Sequence, residues 1–120
     1  HEAARSGILL KTLRKARALS EIALVEKLLG KLGASRGDVS YGLSVLEEDA
    51  RDGAVETLLV SDQKLRDLSD EERLKIEALL RTVEEKRGKV TLISSEHEGG
   101  RKLDSLGSFA AVLRYQKHLQ

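Results

Sequence analysis

The 120-residue sequence contains no cysteine, methionine, tryptophan, proline or asparagine. The absence of cysteine excludes a disulfide framework and a thiolate metal site, and it favours a cytoplasmic setting. Few thermolabile residue types together with 34% charged residues is a composition reported for thermophilic proteins. No apolar run approaches the roughly 20 residues that cross a bilayer, and the start has no signal-peptide layout, so we expect no membrane partner.

The length is that of a single domain with its own core. The chain begins with His1 and Glu2 rather than methionine, which indicates a fragment of a longer protein. We expect residues 1–38 to be a leading helical segment that packs on or joins a core domain of residues 39–120. No heptad seam or long unprotected strand edge is evident, so a monomer is expected.

The charges nearly balance, with 21 basic and 20 acidic residues and a net charge of +1. Nucleic-acid-binding domains usually show a strong basic excess, which this chain lacks. The basic residues are nevertheless concentrated at the start, where residues 1–37 contain eight lysines and arginines against three glutamates. Such a helix suits ribosomal RNA or an acidic protein, although a solvated helix face is the simpler interpretation.

Helical and strand-like hydrophobic patterns alternate along the chain, which predicts a layered α/β sandwich with a largely parallel or mixed sheet. The first helix is expected over residues 6–33, either continuous or broken near Ala18–Ser20, with a left-handed Gly33 at its end. The other predicted helices cover 42–52, 69–87 and 101–106, and the predicted strands cover 39–41, 55–61, 89–95 and 109–115.

Capping signals mark two of these helices. Ser69 and Glu72 have the spacing of a capping box, and Ser95 with Glu98 repeats it. For the helix that begins at Ser69, the apolar positions expected to face inward are Leu74, Leu79, Leu80 and Val83.

Several motifs suggest chemistry but have simpler structural explanations. Gly99-Gly100 is followed by Arg101 and not by a glutamine that could orient a water molecule, so we interpret the two glycines as residues that the backbone needs at the start of a helix. Ser94, Ser95 and His97 lie close together in sequence, whereas catalytic triads are assembled from distant residues. The acidic run formed by Glu47, Glu48, Asp49 and Asp52 is interpreted as a solvated surface, or as part of an acidic patch for a basic partner. We therefore predict no catalytic residue and no cofactor or metal site.

Four stretches carry a resemblance to a known family. They are Tyr41-Gly42-Leu43, Ala54–Asp62 (AVETLLVSD) with Arg66 downstream, Gly88–Ser95 followed by His97, and Gly100–Arg114 (GRKLDSLGSFAAVLR). Their order and spacing resemble the carboxy-terminal domain of the Pelota family, the archaeal and eukaryotic ribosome-rescue relatives of the class-1 release factors.

This resemblance implies an L7Ae-like fold, a three-layer α-β-α sandwich around a mixed, roughly four-stranded sheet. RNA-binding members of that fold read kink-turn RNA with a helix that opens Gly-Ala-Asn-Glu. The corresponding residues here are Gly42-Leu43-Ser44-Val45, which lack the amide and carboxylate of that motif. Specific kink-turn binding is therefore not expected.

The resemblance also implies a function. The implied function is that of a non-catalytic interaction domain of a ribosome-rescue and mRNA-surveillance factor. This domain would dock a translational GTPase and an ABC-type recycling ATPase on stalled ribosomes. Any endonuclease activity of the family would lie outside these residues. The residues expected to bind partners are Tyr41, Asp62, Arg66, His97 and Arg101. The alternatives are an L7Ae-type RNA-binding module and a small hydrolase, and the hydrolase predicts a deep cleft with a perturbed histidine.

Overall fold

The computed structural model describes the backbone of residues 2–119 and the side chains of residues 7–119. The side chains of Glu2 and Arg5, which contribute to the charge of the first segment, lie outside this range. Helices and strands alternate in the order α1 (Glu2–Gly33), β1 (Val39–Tyr41), α2 (Leu43–Arg51), β2 (Val55–Ser61), α3 (Asp62–Arg66), α4 (Asp70–Glu85), β3 (Lys89–Ile93), α5 (Glu98–Ser105) and β4 (Phe109–Leu113).

The four strands form one mixed sheet in the order β1-β4-β2-β3. Strand β2 pairs with β3 in parallel and with β4 in antiparallel fashion, and β4 pairs antiparallel with β1. Strands β1, β2 and β3 therefore run in one direction and β4 runs against them. Because of this arrangement, the carboxyl ends of β1, β2 and β3 meet at the same end of the sheet.

Helices cover both faces of the sheet, which confirms the predicted three-layer α-β-α sandwich. Leu58 of β2 packs with Leu46 of α2 and Val83 of α4 in one buried cluster. Leu59, the next residue of the strand, points to the opposite face and packs with Leu28 of α1 and with α5. Strand β2 is buried on both faces, which explains why its sequence is almost continuously apolar.

Helix α1 is continuous through 32 residues, which decides between the two alternatives and excludes a break near Ala18–Ser20. Its second half packs on the sheet through Val25 and Leu28, whereas Ile8, Leu9 and other apolar residues of the first half are exposed. The left-handed residue after the helix is Ser35, with a φ of 53°, and the prediction for Gly33 was wrong. No helix within residues 2–119 combines the length and the apolar character that crossing a membrane demands.

Other local predictions had mixed outcomes. The capping box at Ser69 and Glu72 is present with both of its hydrogen bonds. On α4, however, Leu74 is 70% exposed and Ile76 is buried in its place. The second capping box was misplaced, because α5 begins at Glu98 with His97 as its N-cap. The short helix α3 was not predicted.

Asp49 contradicts its assignment to a solvated acidic surface, because it is completely buried. Its carboxylate binds the ammonium group of Lys117, and it accepts a hydrogen bond from His118 Nε2 at 2.7 Å. Burial alone would raise the pKa of Asp49, but the hydrogen bonds from His118 and Lys117 outweigh burial and hold the pKa below its usual value. The residues after β4 are thereby fixed to α2.

Gly100 in the first turn of α5 has no room for a side chain. A Cβ at this position would overlap the carbonyl oxygen of Ser94 and lie 2.6 Å from Ser95 Cα. Both contacts are with backbone atoms, which cannot rotate away. Glycine at position 100 is therefore required for the close packing of α5 against the loop after β3.

We predict that Gly100→Ala lowers the free energy of unfolding by more than about 2 kcal/mol, because the loop after β3 must move. Gly30→Ala is the matched control, since a Cβ there meets nothing within 4 Å. It should raise the free energy of unfolding by about 0.5–1 kcal/mol through helix propensity. Chemical denaturation of both variants measures the two effects, and equal stability of the variants would contradict the packing argument.

Candidate functional site

A cleft of about 340 Å³ lies at the carboxyl ends of β2 and β3, beneath the first half of α1. Three segments form it, namely α1, the start of α3 and the loop that joins β3 to α5. Its lining residues are Arg14, Arg17, Ala18, Glu21, Asp62, Ser94, Glu96 and His97. Open α/β sheets commonly bind their ligands or partners at this end.

Glu21 joins two of the three sides of this cleft, α1 and the loop after β3. Its side chain is only 5% exposed and its carboxylate accepts three hydrogen bonds. Oε1 accepts from the backbone N–H of Ser94 at 2.8 Å and from His97 Nε2 at 2.9 Å, while Oε2 accepts from Arg17 Nε at 2.7 Å. The carboxylate therefore ties α1 to the loop after β3.

The geometry of His97 argues against a catalytic role. Its Nδ1 accepts the backbone N–H of Gly100 at 3.2 Å, so the ring proton must reside on Nε2, which donates to Glu21. Both ring nitrogens are thus used to cap α5 and to hold Glu21. Among the described residues, no serine hydroxyl is hydrogen-bonded to His97, so the nucleophile–base pair of a serine hydrolase is not formed.

Ser94 and Ser95 instead form hydrogen bonds that stabilise the loop after β3. Ser95 Oγ donates to Asp104 Oδ2 at 2.9 Å and lies 3.1 Å from Ser61 Oγ, while Ser94 Oγ accepts from Glu96 N–H. Burial would raise the pKa of Asp104, but the hydroxyls of Ser61, Ser108 and Ser95 outweigh burial and lower the pKa. This network fixes the ends of β2 and β3 relative to α5.

The five predicted partner-binding residues lie at the same end of the sheet but not in one cluster. Asp62 and His97 both line the cleft, and the Asp62 carboxylate accepts a hydrogen bond from the N–H of Ser95 at 3.0 Å. Arg66 is 73% exposed, with its Nη2 3.6 Å from Asp62, and Arg101 donates to the carbonyl oxygen of Glu96. Tyr41 is at the end of β1, and β4 separates it from β2.

Glu21 and Asp104 belong to this site, although neither residue was predicted from the sequence. A lone glutamate in a basic helix carries no signal, because its partners Ser94 and His97 lie more than 70 residues away. Asp104 belongs to the GRKLDSLGS stretch, in which Ser108 follows at a spacing of four. That spacing is the available signal for Asp104, and the hydroxyl of Ser108 does donate to it.

The described residues include no group of three or more histidine, aspartate or glutamate side chains with the geometry of a metal site.

Burial would raise the pKa of Glu21, yet the hydrogen bonds from Ser94, His97 and Arg17 outweigh burial and lower the pKa below its usual 4.5. The buried polar groups of the cleft thus already form hydrogen bonds with one another, whereas Arg14 and Glu96 at its rim are exposed.

Comparison with known proteins identifies relatives of the chain. A family model described as "eRF1 domain 3" matches residues 18–117. The chain is similar to the protein pelota homolog of Thermococcus onnurineus, with 44% identity over 116 residues. That match covers 97% of this chain and 32% of the relative, so the chain spans about a third of the relative's length.

Two solved structures show the same fold. One is described as a model of ribosome-bound archaeal Pelota and ABCE1, with a TM-score of 0.77, 43% identity, and coverage of 96% of this chain and 31% of that one. The other is S. cerevisiae Dom34, with a TM-score of 0.79, 27% identity, and coverage of 91% and 31%. Dom34 is described as a translation termination-like factor involved in RNA quality control pathways and interacting with Hbs1.

We predict that Glu21→Gln lowers the free energy of unfolding at neutral pH by about 1–3 kcal/mol, because an amide cannot accept all three hydrogen bonds. The pKa of Glu21 is lowered in the folded state, so the unfolded chain binds more protons as the pH falls below 4.5. The stabilisation is therefore complete above that pH and is lost as the pH falls through the folded-state pKa.

Denaturation of wild type and variant at a series of pH values measures this effect. Glu21→Gln should lose less stability than wild type between about pH 5 and pH 3, because it lacks this titrating group. Glu77→Gln, at an exposed position of α4, is the control and should follow the wild-type curve. Parallel curves for wild type and Glu21→Gln would show that ionisation of Glu21 is not coupled to folding, and coincident curves would show that its carboxylate does not stabilise the fold.

Proposed function

The chain belongs to the eRF1 domain 3 family as a Pelota carboxy-terminal domain, and from this we propose that it is a protein-docking domain of a ribosome-rescue factor. In this proposal it binds a translational GTPase of the elongation-factor type and an ABC-type recycling ATPase on stalled ribosomes. It works in the cytoplasm and uses no cofactor or metal of its own. Its contribution is a rigid surface rather than a reaction.

The observation that carries the proposal is similarity over almost the entire chain to a Pelota described in a ribosome-bound assembly with ABCE1. Dom34, which is described as interacting with Hbs1 and which this chain matches over 31% of its length, supports the proposal of a second partner. The cleft supports a non-catalytic role, because hydrogen bonds within the fold occupy both ring nitrogens of His97.

Exposed charges around the cleft are suited to recognising a partner. Arg66 at the end of α3 follows Asp62 by four residues, Arg101 on α5 follows His97 by four, and both arginines are exposed. Arginine is enriched at protein interfaces, because its planar guanidinium donates several hydrogen bonds at once. The elements that carry these arginines are fixed by the hydrogen bonds of Asp62 and His97.

The RNA-binding alternative depends on the start of α2. This helix begins after Gly42, which has no side chain to form a cap, and its first turn contains no acidic residue. The amide and carboxylate that read kink-turn RNA are thus absent from the chain at this position. Kink-turn RNA is therefore a suitable competitor in a binding test and not the ligand that we propose.

We predict that the double substitution R66E/R101E weakens binding to the GTPase or the ABC-type ATPase by about tenfold or more, because each change reverses a charge at the interface. Titration of the purified chain against the two archaeal partner proteins, with kink-turn RNA as competitor over a series of salt concentrations, measures the affinity. The free energy of unfolding should change by less than about 0.5 kcal/mol, since both side chains are exposed.

Arg81→Glu, on the exposed face of α4, is the matched control and should retain wild-type affinity. Weak RNA binding that disappears at moderate salt fits the docking role, because non-specific binding to phosphates is salt-sensitive. The proposal fails if the chain binds neither partner protein, or if it binds kink-turn RNA tightly and independently of salt.

A further inference from the structure

A second concavity, larger than the cleft, follows the outer edge of β1. We call it the β1 groove; its volume is about 630 Å³ and it is formed by the end of α1, by β1, by the start of α2 and by the residues after β4. The residues that matter for its chemistry are Lys31, Leu32, Arg36, Tyr41, Val45 and His118. It lies away from the cleft that contains His97.

The backbone of β1 offers unused hydrogen-bonding groups to this groove. The N–H of Leu113 donates to the carbonyl oxygen of Asp38 at 2.8 Å, and Ser40 lies opposite Ala111 in the antiparallel register. In an antiparallel pair the bonded residues alternate, so Ser40 bonds to β4 while Val39 and Tyr41 direct their N–H and C=O groups outward. Within residues 2–119, no other strand pairs with this edge of β1; the residues after β4 reach only its start, where the N–H of His118 donates to the carbonyl oxygen of Gly37 at 2.9 Å.

The side chains around the groove combine apolar surface with positive charge. Leu32 and Val45 are half-buried, and the ring of Tyr41 is 48% exposed. Lys31 and Arg36 contribute two positive charges, and both contact Asp38, which compensates one of them. Arg36 remains 55% exposed, and no acidic residue is among those that line the groove in the described chain.

We propose that the β1 groove binds an extended acidic peptide segment of a partner protein, which pairs with β1 as an additional strand. The outward groups of Val39 and Tyr41 form the main-chain hydrogen bonds. Leu32 and Val45 contact the apolar side chains of the peptide, and Arg36 contacts its carboxylates. Addition of a strand to an open sheet edge is a recurrent mode of peptide recognition, in which backbone bonds supply affinity and flanking pockets supply specificity.

A peptide fits these observations better than RNA does. An RNA backbone would not use the alternating N–H and C=O groups of a strand edge, nor the apolar side chains on the groove walls. Single-stranded RNA is usually bound by stacking its bases on several aromatic rings. Two rings line the groove in the described chain, those of Tyr41 and His118, and the His118 ring is held by its hydrogen bond to Asp49. This inference rests on the proposed docking function and specifies one kind of segment that it recognises.

The test is a titration of the isotope-labelled 120-residue chain with a blocked seven-residue peptide of alternating aspartate and valine, followed by amide chemical shifts. We expect the largest shifts at Val39 and Tyr41, with weaker binding of an N-methylated copy that cannot form strand hydrogen bonds. A matched lysine–valine peptide should bind less tightly, by about fivefold or more, because of the positive charge of the groove.

Variants of the chain distinguish a loss of peptide binding at the β1 groove from a loss of folding. Arg36→Glu and Val45→Asp should each weaken binding of the aspartate–valine peptide by about fivefold or more. Arg73→Glu, an equal change of charge on the exposed side of α4, should leave it unchanged. Circular dichroism of each variant establishes that the fold is retained.

Equal binding of the acidic and basic peptides, shifts confined to other surfaces, or preferential binding of single-stranded RNA at these amides would each overturn the proposal. The outcome is separable from that of the docking function. A chain that binds the GTPase or the ATPase but not the peptide refutes this inference alone, whereas a chain that binds none of them refutes both.

Discussion

The Glu21 carboxylate lies where the long helix α1 crosses the carboxyl end of the sheet, and the shape of the domain depends on it. Its three hydrogen bonds join α1 to the backbone of the loop after β3 and to the histidine that caps α5. A buried carboxylate is tolerated only when its oxygens are satisfied, so each of these partners must be in place for the others to hold. Helix direction, loop conformation and helix cap are therefore determined together.

Two further carboxylates have a similar role in other parts of the fold. Asp104 accepts hydrogen bonds from the hydroxyls of Ser95 and Ser108, and Asp49 holds the residues after β4 against α2. In all three cases burial opposes ionisation, and the surrounding hydrogen bonds outweigh burial. The polar side chains that first suggest catalysis are thus engaged in hydrogen bonds within the fold. The surfaces on which we propose that partners bind are the exposed arginines and the open edge of β1.

Sequence patterns were sufficient for the features that local chemistry determines. Strands β1 and β2 have the predicted bounds, since they are short apolar runs between clear turn residues, and the capping box of α4 is present. The layering and the family followed from the alternation of elements and from motifs such as AVETLLVSD. These signals depend on neighbouring residues and need no knowledge of the tertiary structure.

The errors arose where distant contacts override local signals. His97 rather than Ser95 caps α5, because Glu21 holds the imidazole in place from a different helix. Asp49 is buried among acidic neighbours because Lys117 and His118 return to it after β4. The five-residue helix α3 is too short to show periodicity, and its cap, Ser61, belongs to the preceding strand.

The continuity of α1 has a mechanical consequence. The 19 residues of α1 that precede Glu21 extend about 28 Å beyond the Glu21–His97 contact, given a rise of 1.5 Å per residue. A tilt of the helix of about 10° at that contact moves the beginning of α1 by about 5 Å over this length. A small change in the loop that shapes the cleft is therefore amplified at the beginning of α1.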